Sequence, residues 1–156
     1  MGRIFVVLTD DMKSIIKNAN LAFFATINED GSPNLSPKST LRTINGNSLI
    51  FANLASPGTI RNLNRDPRIE INCVDIFSRR GYRFTGVATV HVEGETTFEK
   101  FKTQMAKELG PKTIVYNAVT IQIKKVSPIM SPAYNNPNVT EERLRETYLK
   151  KYGVSS

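Results

Sequence analysis

The spacing of apolar and polar residues changes period several times along the chain, and each change predicts an element. Thr9, Asp10 and Asp11 have the form of an N-cap followed by acid in a first turn, and Met12, Ile15 and Ile16 then share a face. That pattern predicts a short amphipathic helix over 10–18. Residues 21–28 are apolar and β-branched and predict a strand. Glu29-Asp30-Gly31-Ser32 is hairpin chemistry, because Asp-Gly tolerates positive φ. A second strand is predicted over 35–43, with Pro37 inside it. A proline gives no ladder N–H, so this strand is expected at an edge or a bulge. Asn45-Gly46 is a strong short hairpin signal, and the third strand follows at 48–53.

Ser56-Pro57-Gly58-Thr59 opens a helix carrying Ile60, Leu63 and Asn64, which stops before Pro67. Alternation over 69–74 predicts a strand, Arg79-Arg80-Gly81 a turn, and 82–93 a long strand. Phe98, Phe101, Met105 and Leu109 form one stripe of a helix over 97–109, ended by Gly110-Pro111. Val119, Ile121 and Ile123 alternate within a last strand at 115–126. Residues 127–138, with three prolines, read as a loop. Thr140-Glu141-Glu142 caps a final helix to about Tyr152. Six strands joined by hairpins and short connections do not alternate with helices as a parallel sheet requires. The expected fold is mainly β: a six-stranded antiparallel split β-barrel with short peripheral helices and a C-terminal helix, closed so that few edges are exposed.

Length and composition narrow the class. At 156 residues and 40% hydrophobic, the chain is expected to be one domain over 1–156 with a core that needs no staple. One Cys and one His exclude an internal disulfide and a Cys/His zinc site. Met1 to Leu8 holds too short an apolar run for a signal peptide, Val6 stands where a myristoylation motif wants a hydroxyl, and no stretch is long enough to span a bilayer. A soluble, cytoplasmic protein is expected.

The formal charge of +7 is concentrated between residues 31 and 90, where eight basic residues face three acidic ones. An anionic partner and a solvated basic surface explain this equally well. Neither G-x-G-x-x-G nor a P-loop is present. His91, alone and mid-strand, reads as structural; Cys73 reads as a space-filler among apolar neighbours. Asp10 and Asp11 read as a helix start, since adjacent helical residues do not face each other. Residues 56–62 carry more chemistry. Ser56 and Thr59 bring hydroxyls, Arg61 a guanidinium, and the turn free N–H groups, as anion-binding helix starts do. Ser36, Pro37, Lys38, Ser39 and Thr40 add an ammonium and three hydroxyls on a neighbouring strand. An ordinary cap with its charges in water is the alternative, and local chemistry leaves both open.

In order and spacing, Gly31-Ser-Pro33-Asn-Leu-Ser-Pro-Lys38, then Leu49-Ile-Phe51-Ala-Asn53, then Asn62-Leu63-Asn-Arg65-Asp-Pro67-Arg68 resemble the FMN-binding split barrels of the pyridoxamine 5′-phosphate oxidase-like superfamily. Arg80-Gly-Tyr-Arg-Phe-Thr-Gly86 is similar to the strand that closes that barrel at the dimer interface, and Ser131-Pro132-Ala133-Tyr134 to the tail of a small-protein branch. The resemblance spans residues 8–152. It implies a homodimer with FMN in clefts between subunits. The strand Ser36, Pro37, Lys38, Ser39, Thr40 and Leu41 would run along the flavin and ribityl chain, with Phe51 to Asn53 beside it. Thr59 would take the place of a phosphate-binding lysine in the turn begun by Ser56, followed by Arg61 and Asn62. Gly81 stands where the oxidase has a flavin-contacting glutamine, and the oxidase's C-terminal Arg and His signature has no counterpart after Val126.

The function this implies is a flavin-dependent oxidoreductase acting on an unidentified small molecule, distinct from the oxidase itself. A non-catalytic flavin or deazaflavin carrier is the alternative within the fold. A basic nucleic-acid-binding barrel is the alternative outside it, disfavoured because Phe77, Tyr82 and Phe84 are the few aromatics on central strands. Tyr82, Phe84, Val87, Val90 and Val92 are expected to supply apolar surface for the dimer.

Overall fold

The computed structural model describes residues 6–154. Residues 1–5, and with them most of the segment weighed above as a leader, lie outside the described residues. The elements follow as α1 (Asp10–Ala19), β1 (Ala22–Ile27), β2 (Pro33–Lys38), β3 (Arg42–Ile44), β4 (Ser48–Asn53), α2 (Pro57–Arg65), β5 (Arg68–Asp75), β6 (Arg80–His91), α3 (Thr96–Leu109), β7 (Asn117–Met130), a 3-10 turn (Pro132–Asn135) and α4 (Glu141–Lys151). Thr9 caps α1 through its hydroxyl, which accepts from the Met12 N–H, and Thr140 caps α4 by accepting from Arg143 N–H. Among the described residues, no helix is long and apolar enough to cross a membrane.

All the strands join one antiparallel sheet in the order β2-β1-β5-β6-β7-β4-β3. Its outermost strands, β2 and β3, are neighbours in sequence, separated by Ser39, Thr40 and Leu41 alone. Four Cα steps reach at most about 15 Å, whereas the ends of a flat sheet this wide would stand about 29 Å apart. The sheet therefore has to roll up on itself. Phe24, Leu49, Phe51, Ile71, Phe84, Val119 and Ile121 fill the interior of the roll. A second core lies outside it, where Phe98, Phe101 and Met105 of α3 pack on Ile50, Ala52 and Ala118.

The stretch 35–43, expected as one strand, is two. Thr40 breaks the ladder and substitutes its side chain for it. The Thr40 Oγ1 accepts from the Ala52 N–H at 3.0 Å and donates to the Ala52 carbonyl at 3.2 Å. This raises the strand count to seven and leaves β2 as an edge strand, as Pro37 requires. Two further boundaries move. Arg80 and Gly81 begin β6 instead of forming a turn, and β7 runs on to Met130 because Pro128, opposite Tyr82, still pairs as the strand ends. Phe84 is fully buried inside the roll and Tyr82 and Val90 pack against the same core, so of the apolar surface expected from this strand only Val92 is largely exposed. Exposed apolar residues also lie on the outer side of β1 and β2, at Phe23 and Leu35, and elsewhere at Ile76, Ile114, Tyr116 and Met130.

Candidate functional site

Four of the eight mid-chain basic residues are neutralised locally. Arg42 pairs with Glu108, Arg68 with Asp66, Arg80 with Asp11 and Glu141, and Arg83 with Glu70. Arg65 donates to the Ile27 carbonyl and to Asn62, while Arg79 stacks on Tyr148 at 4.5 Å. Of the eight, Lys38 and Arg61 stand outside these contacts; Lys38, at the end of β2, reaches Ser56 at the start of α2, and Arg61 lies in α2 itself. Four cations of the stretch, Lys38, Arg61, Arg65 and Arg79, thus keep their charge without a carboxylate partner among the described residues.

Lys38 is 7% exposed. Strand alternation turns Ser36 and Lys38 to the side of β2 that Phe24 occupies on β1. The Lys38 ammonium donates to the Ser36 hydroxyl at 2.9 Å and to the Ser56 hydroxyl at 2.6 Å. It lies 5.8 Å from the ring centres of both Phe24 and Phe51, which pack on each other at 4.6 Å. Burial pushes this ammonium down to about 8, and no carboxylate offsets the loss of water.

Ser56 is the N-cap of α2, yet its side chain makes no capping bond to the helix. Its hydroxyl is turned to Lys38, and its own N–H donates to the Asn53 side-chain oxygen at 2.7 Å. Asn53, buried, is held in turn by Asn117 across the β4–β7 ladder. The first-turn N–H groups of α2 are therefore left without a side-chain cap, beside a buried cation. Pro57 at the first position removes one donor that a helix start leaves unpaired in any case.

The residues singled out from sequence separate into groups. Ser36, Lys38, Asn53 and Ser56 converge. Thr59 is buried in the first turn of α2, and Arg61 is exposed on the same turn. Pro37 faces the other side of β2, Ser39 is exposed on the link, and Thr40 is occupied by Ala52. Asn62 lies a turn further along, where its amide donates to Thr26 and Asn28 at 3.0 Å each and fastens α2 to β1. His91 is held between Glu95 and Thr120, and Cys73 is buried with its thiol pushed up to about 12 by desolvation. The resemblance placed Phe51 beside this strand, but sequence reasoning missed Phe24 as the other wall of the Lys38 site, since an apolar strand residue carries no mark of which cation it will face. It also missed a cavity of about 620 Å³ between α1, the β2–β3 link and α3, with Lys13, Lys17, Arg42 and Glu108 in its wall.

Gly81 has a local explanation. A Cβ there would lie 1.9 Å from the Cys73 carbonyl oxygen and 2.8 Å from the Val74 Cα. No glutamine or other side chain fits at this point of the β5–β6 ladder.

The family model described as pyridoxamine 5′-phosphate oxidase matches residues 8–129, and the chain belongs to that family. Among solved structures it is similar to HupZ of Group A Streptococcus, with 29% identity over 80% of this chain and 95% of that one at a TM-score of 0.70. It shares the fold of an FMN-binding protein from Syntrophomonas wolfei, with 17% identity, 77% and 84% coverage, and a TM-score of 0.66. An F420 reductase has the same fold at 16% identity, 77% and 98% coverage, and a TM-score of 0.61. No curated protein matches the chain.

Proposed function

We propose that this protein binds FMN and works in the cytoplasm as a flavin-dependent oxidoreductase on a small molecule, as a homodimer with its cofactor sites between subunits. The observation that carries this reading is the convergence of Ser36, Lys38, Asn53 and Ser56 beside an uncapped helix start, in a chain of the pyridoxamine 5′-phosphate oxidase family. Hydroxyls, amide N–H groups and a positive helix end are the donor set a phosphate monoester takes. The donors fit FMN better than a flavin without phosphate.

Bound flavin would supply hydride or electron transfer; the protein's part is to hold and orient it. In this reading the α2 turn grips the phosphate end, β2 lies along the ribityl chain, and the Thr40–Ala52 bridge keeps the link rigid beneath it. The exposed apolar side of β1 and β2 is where the second subunit would exclude water.

The absorbance spectrum of freshly purified protein, with identification of what heat releases, tests the cofactor. A flavin spectrum with FMN released is expected; release of a deazaflavin would overturn FMN. Reduction of the bound flavin by a nicotinamide cofactor at a measurable rate is expected of the oxidoreductase, and its absence would favour a carrier.

A further inference from the structure

We infer that the cavity between α1, the β2–β3 link and α3 binds a small organic anion with an apolar body, and that Lys13 and Lys17 of α1 hold its charge. As a substrate site this cavity rests on the flavin reading above; as a binding site it stands on its own residues.

At about 620 Å³ the cavity has the volume of a small-molecule site. Lys13, Ile16, Lys17 and Asn20 reach it from α1 at helical spacing, so one face of that helix forms a wall. The floor is apolar, with Ile16, Ala22, Leu41 and Cys73 all buried. The polar part is unbalanced, since one carboxylate, Glu108, stands among four cations. Glu108 is already engaged: it accepts from Arg42 at 2.5 and 2.9 Å and from Gln104 at 2.8 Å. The Lys38 ammonium is held by Ser36 and Ser56. Lys13 and Lys17 remain, and neither joins an ion pair among the described residues.

Helix stability accounts for only one of these lysines. Lys17 lies in the last turn of α1, where a cation suits the helix dipole, but Lys13 lies in the first half, where it does not. Asp11 of the same helix is bonded to Arg80 and Tyr82 instead. Two ammonium groups over an apolar floor call for a negative head on an apolar body. Being point charges without a fixed fork, they do not prescribe the shape of that head. The cavity shares Lys38 and Ser39 with the strand proposed to follow the ribityl chain, so its occupant would lie beside the flavin.

The test uses 8-anilinonaphthalene-1-sulfonate and its uncharged analogue N-phenyl-1-naphthylamine, followed by equilibrium dialysis with FMN in excess and with FMN withheld. Wild type is compared with Lys13→Gln/Lys17→Gln, Thr43→Trp and Lys124→Gln. Thr43, exposed on β3, lines the cavity, so a tryptophan there fills it and leaves the charges alone. Lys124, exposed on β7, is a loss of charge elsewhere. Wild type is expected to bind the sulfonate with FMN present. The double lysine variant is expected to bind it about tenfold more weakly, the loss of two partly screened charge-assisted bonds, and to change its affinity for the uncharged analogue less than about threefold. Thr43→Trp is expected to weaken both ligands at least about tenfold, and Lys124→Gln to alter neither. No sulfonate binding by wild type, full affinity in the double variant or in Thr43→Trp, or an equal loss for the uncharged analogue would overturn the inference. Sulfonate binding seen only with FMN withheld would make the cavity the flavin's own and overturn it as well. Should FMN itself fail to bind, the flavin reading fails, while sulfonate binding with the same loss in the lysine variant still supports the anion site.

Discussion

A buried, unpaired lysine has a thermodynamic signature that needs no ligand. In the unfolded chain Lys38 titrates near the ordinary lysine value of about 10.4; in the fold, desolvation brings it to about 8. Below pH 8 both states carry the proton, so this group adds no pH dependence. Between about 8 and 10 the unfolded state binds more protons, and stability therefore rises with pH. The ligand-free protein is expected to gain melting temperature over that window relative to Lys38→Met, and Lys38→Met to be the more stable of the two at pH 7. A stability difference between wild type and Lys38→Met that stays constant between pH 8 and 10 would contradict the burial of the charge. The groups nearest the ammonium are Phe24, Phe51, Ser36 and Ser56, none of which titrates there; across the adjoining cavity stand Lys13, Lys17, Arg42, Glu108 and Cys73. The Cys73 thiol, pushed up to about 12 in the fold, ionises near 9 only in the unfolded chain, so it lowers stability as pH rises past about 9 and opposes the Lys38 gain there. At Gly81 the constraint is steric. Gly81→Ala puts a methyl into the Cys73 carbonyl, and chemical denaturation is expected to show a loss of at least about 1–3 kcal/mol, as for overpacked cores. A neutral result would mean the β5–β6 ladder relaxes at no cost.

Among the elements, β6 anchors both termini through one side chain. Arg80 donates to Asp11 at the start of α1, at 2.7 and 2.9 Å, and to Glu141 in the first turn of α4 at 2.9 Å. Hydrogen bonds from Arg80 and from Tyr82 hold the Asp11 carboxyl at about 2. A depressed carboxyl contributes stability above its unfolded value, lost as pH falls through the folded one. The anchoring is thus complete above about pH 5 and lost between about 4 and 2. Since α4 buries no residue of its own, its attachment depends on Arg80–Glu141, Arg145–Asp75 and aromatic contacts such as Phe77–Tyr152. Arg80→Leu is expected to speed hydrogen exchange in α4 at least tenfold while leaving β4 and β7 protected. Unchanged exchange would assign the docking to Arg145 and the aromatic contacts.

These same elements show what was legible in the chain. Hairpin turns at Asp30-Gly31 and Asn45-Gly46, caps at Thr9 and Thr140, and the stripe of α3 are local signals, and each element stands within a few residues of its expected place. The split of 35–43 was not legible, because Thr40 is an ordinary strand residue until Ala52 is brought beside it. The ends of β6 and β7 were hidden for a related reason: Arg79 keeps the expected turn, but turn-like Arg80-Gly81 and Pro128 were overridden by pairing with each other's strand. At the candidate site, sequence and family resemblance named Ser36, Lys38, Asn53 and Ser56. They could not rank Lys38 above Arg61, since that order depends on burial and on which arginines find carboxylates.

On the scale of the molecule, the sheet is covered unevenly. On the β4–β7 side α3 packs over the outer face, but outside β1 and β2 the pairs Phe23–Pro37 and Ala25–Leu35 present a continuous apolar strip. Phe23 is 43% and Leu35 65% exposed, and β2 is also a sheet edge. A strip of this kind on an edge strand invites association, and closed two-fold dimers are the commonest outcome. The strip lies on the opposite side of the strand that carries Ser36 and Lys38, and in the two-subunit site proposed above the partner on this strip is also the one that completes the cofactor cleft. Assembly and cofactor affinity are therefore expected to fall together. Leu35→Glu leaves every Lys38 contact in place and puts a charge into the strip. Wild-type protein is expected to sediment as a dimer at micromolar concentration, and Leu35→Glu as a folded monomer that binds FMN at least tenfold more weakly. A wild-type monomer with flavin bound would sink the two-subunit site. A Leu35→Glu protein that stays dimeric with full affinity would move the interface elsewhere, to the outer face of β5 and β6, where Val87 and the Arg83–Glu70 pair lie.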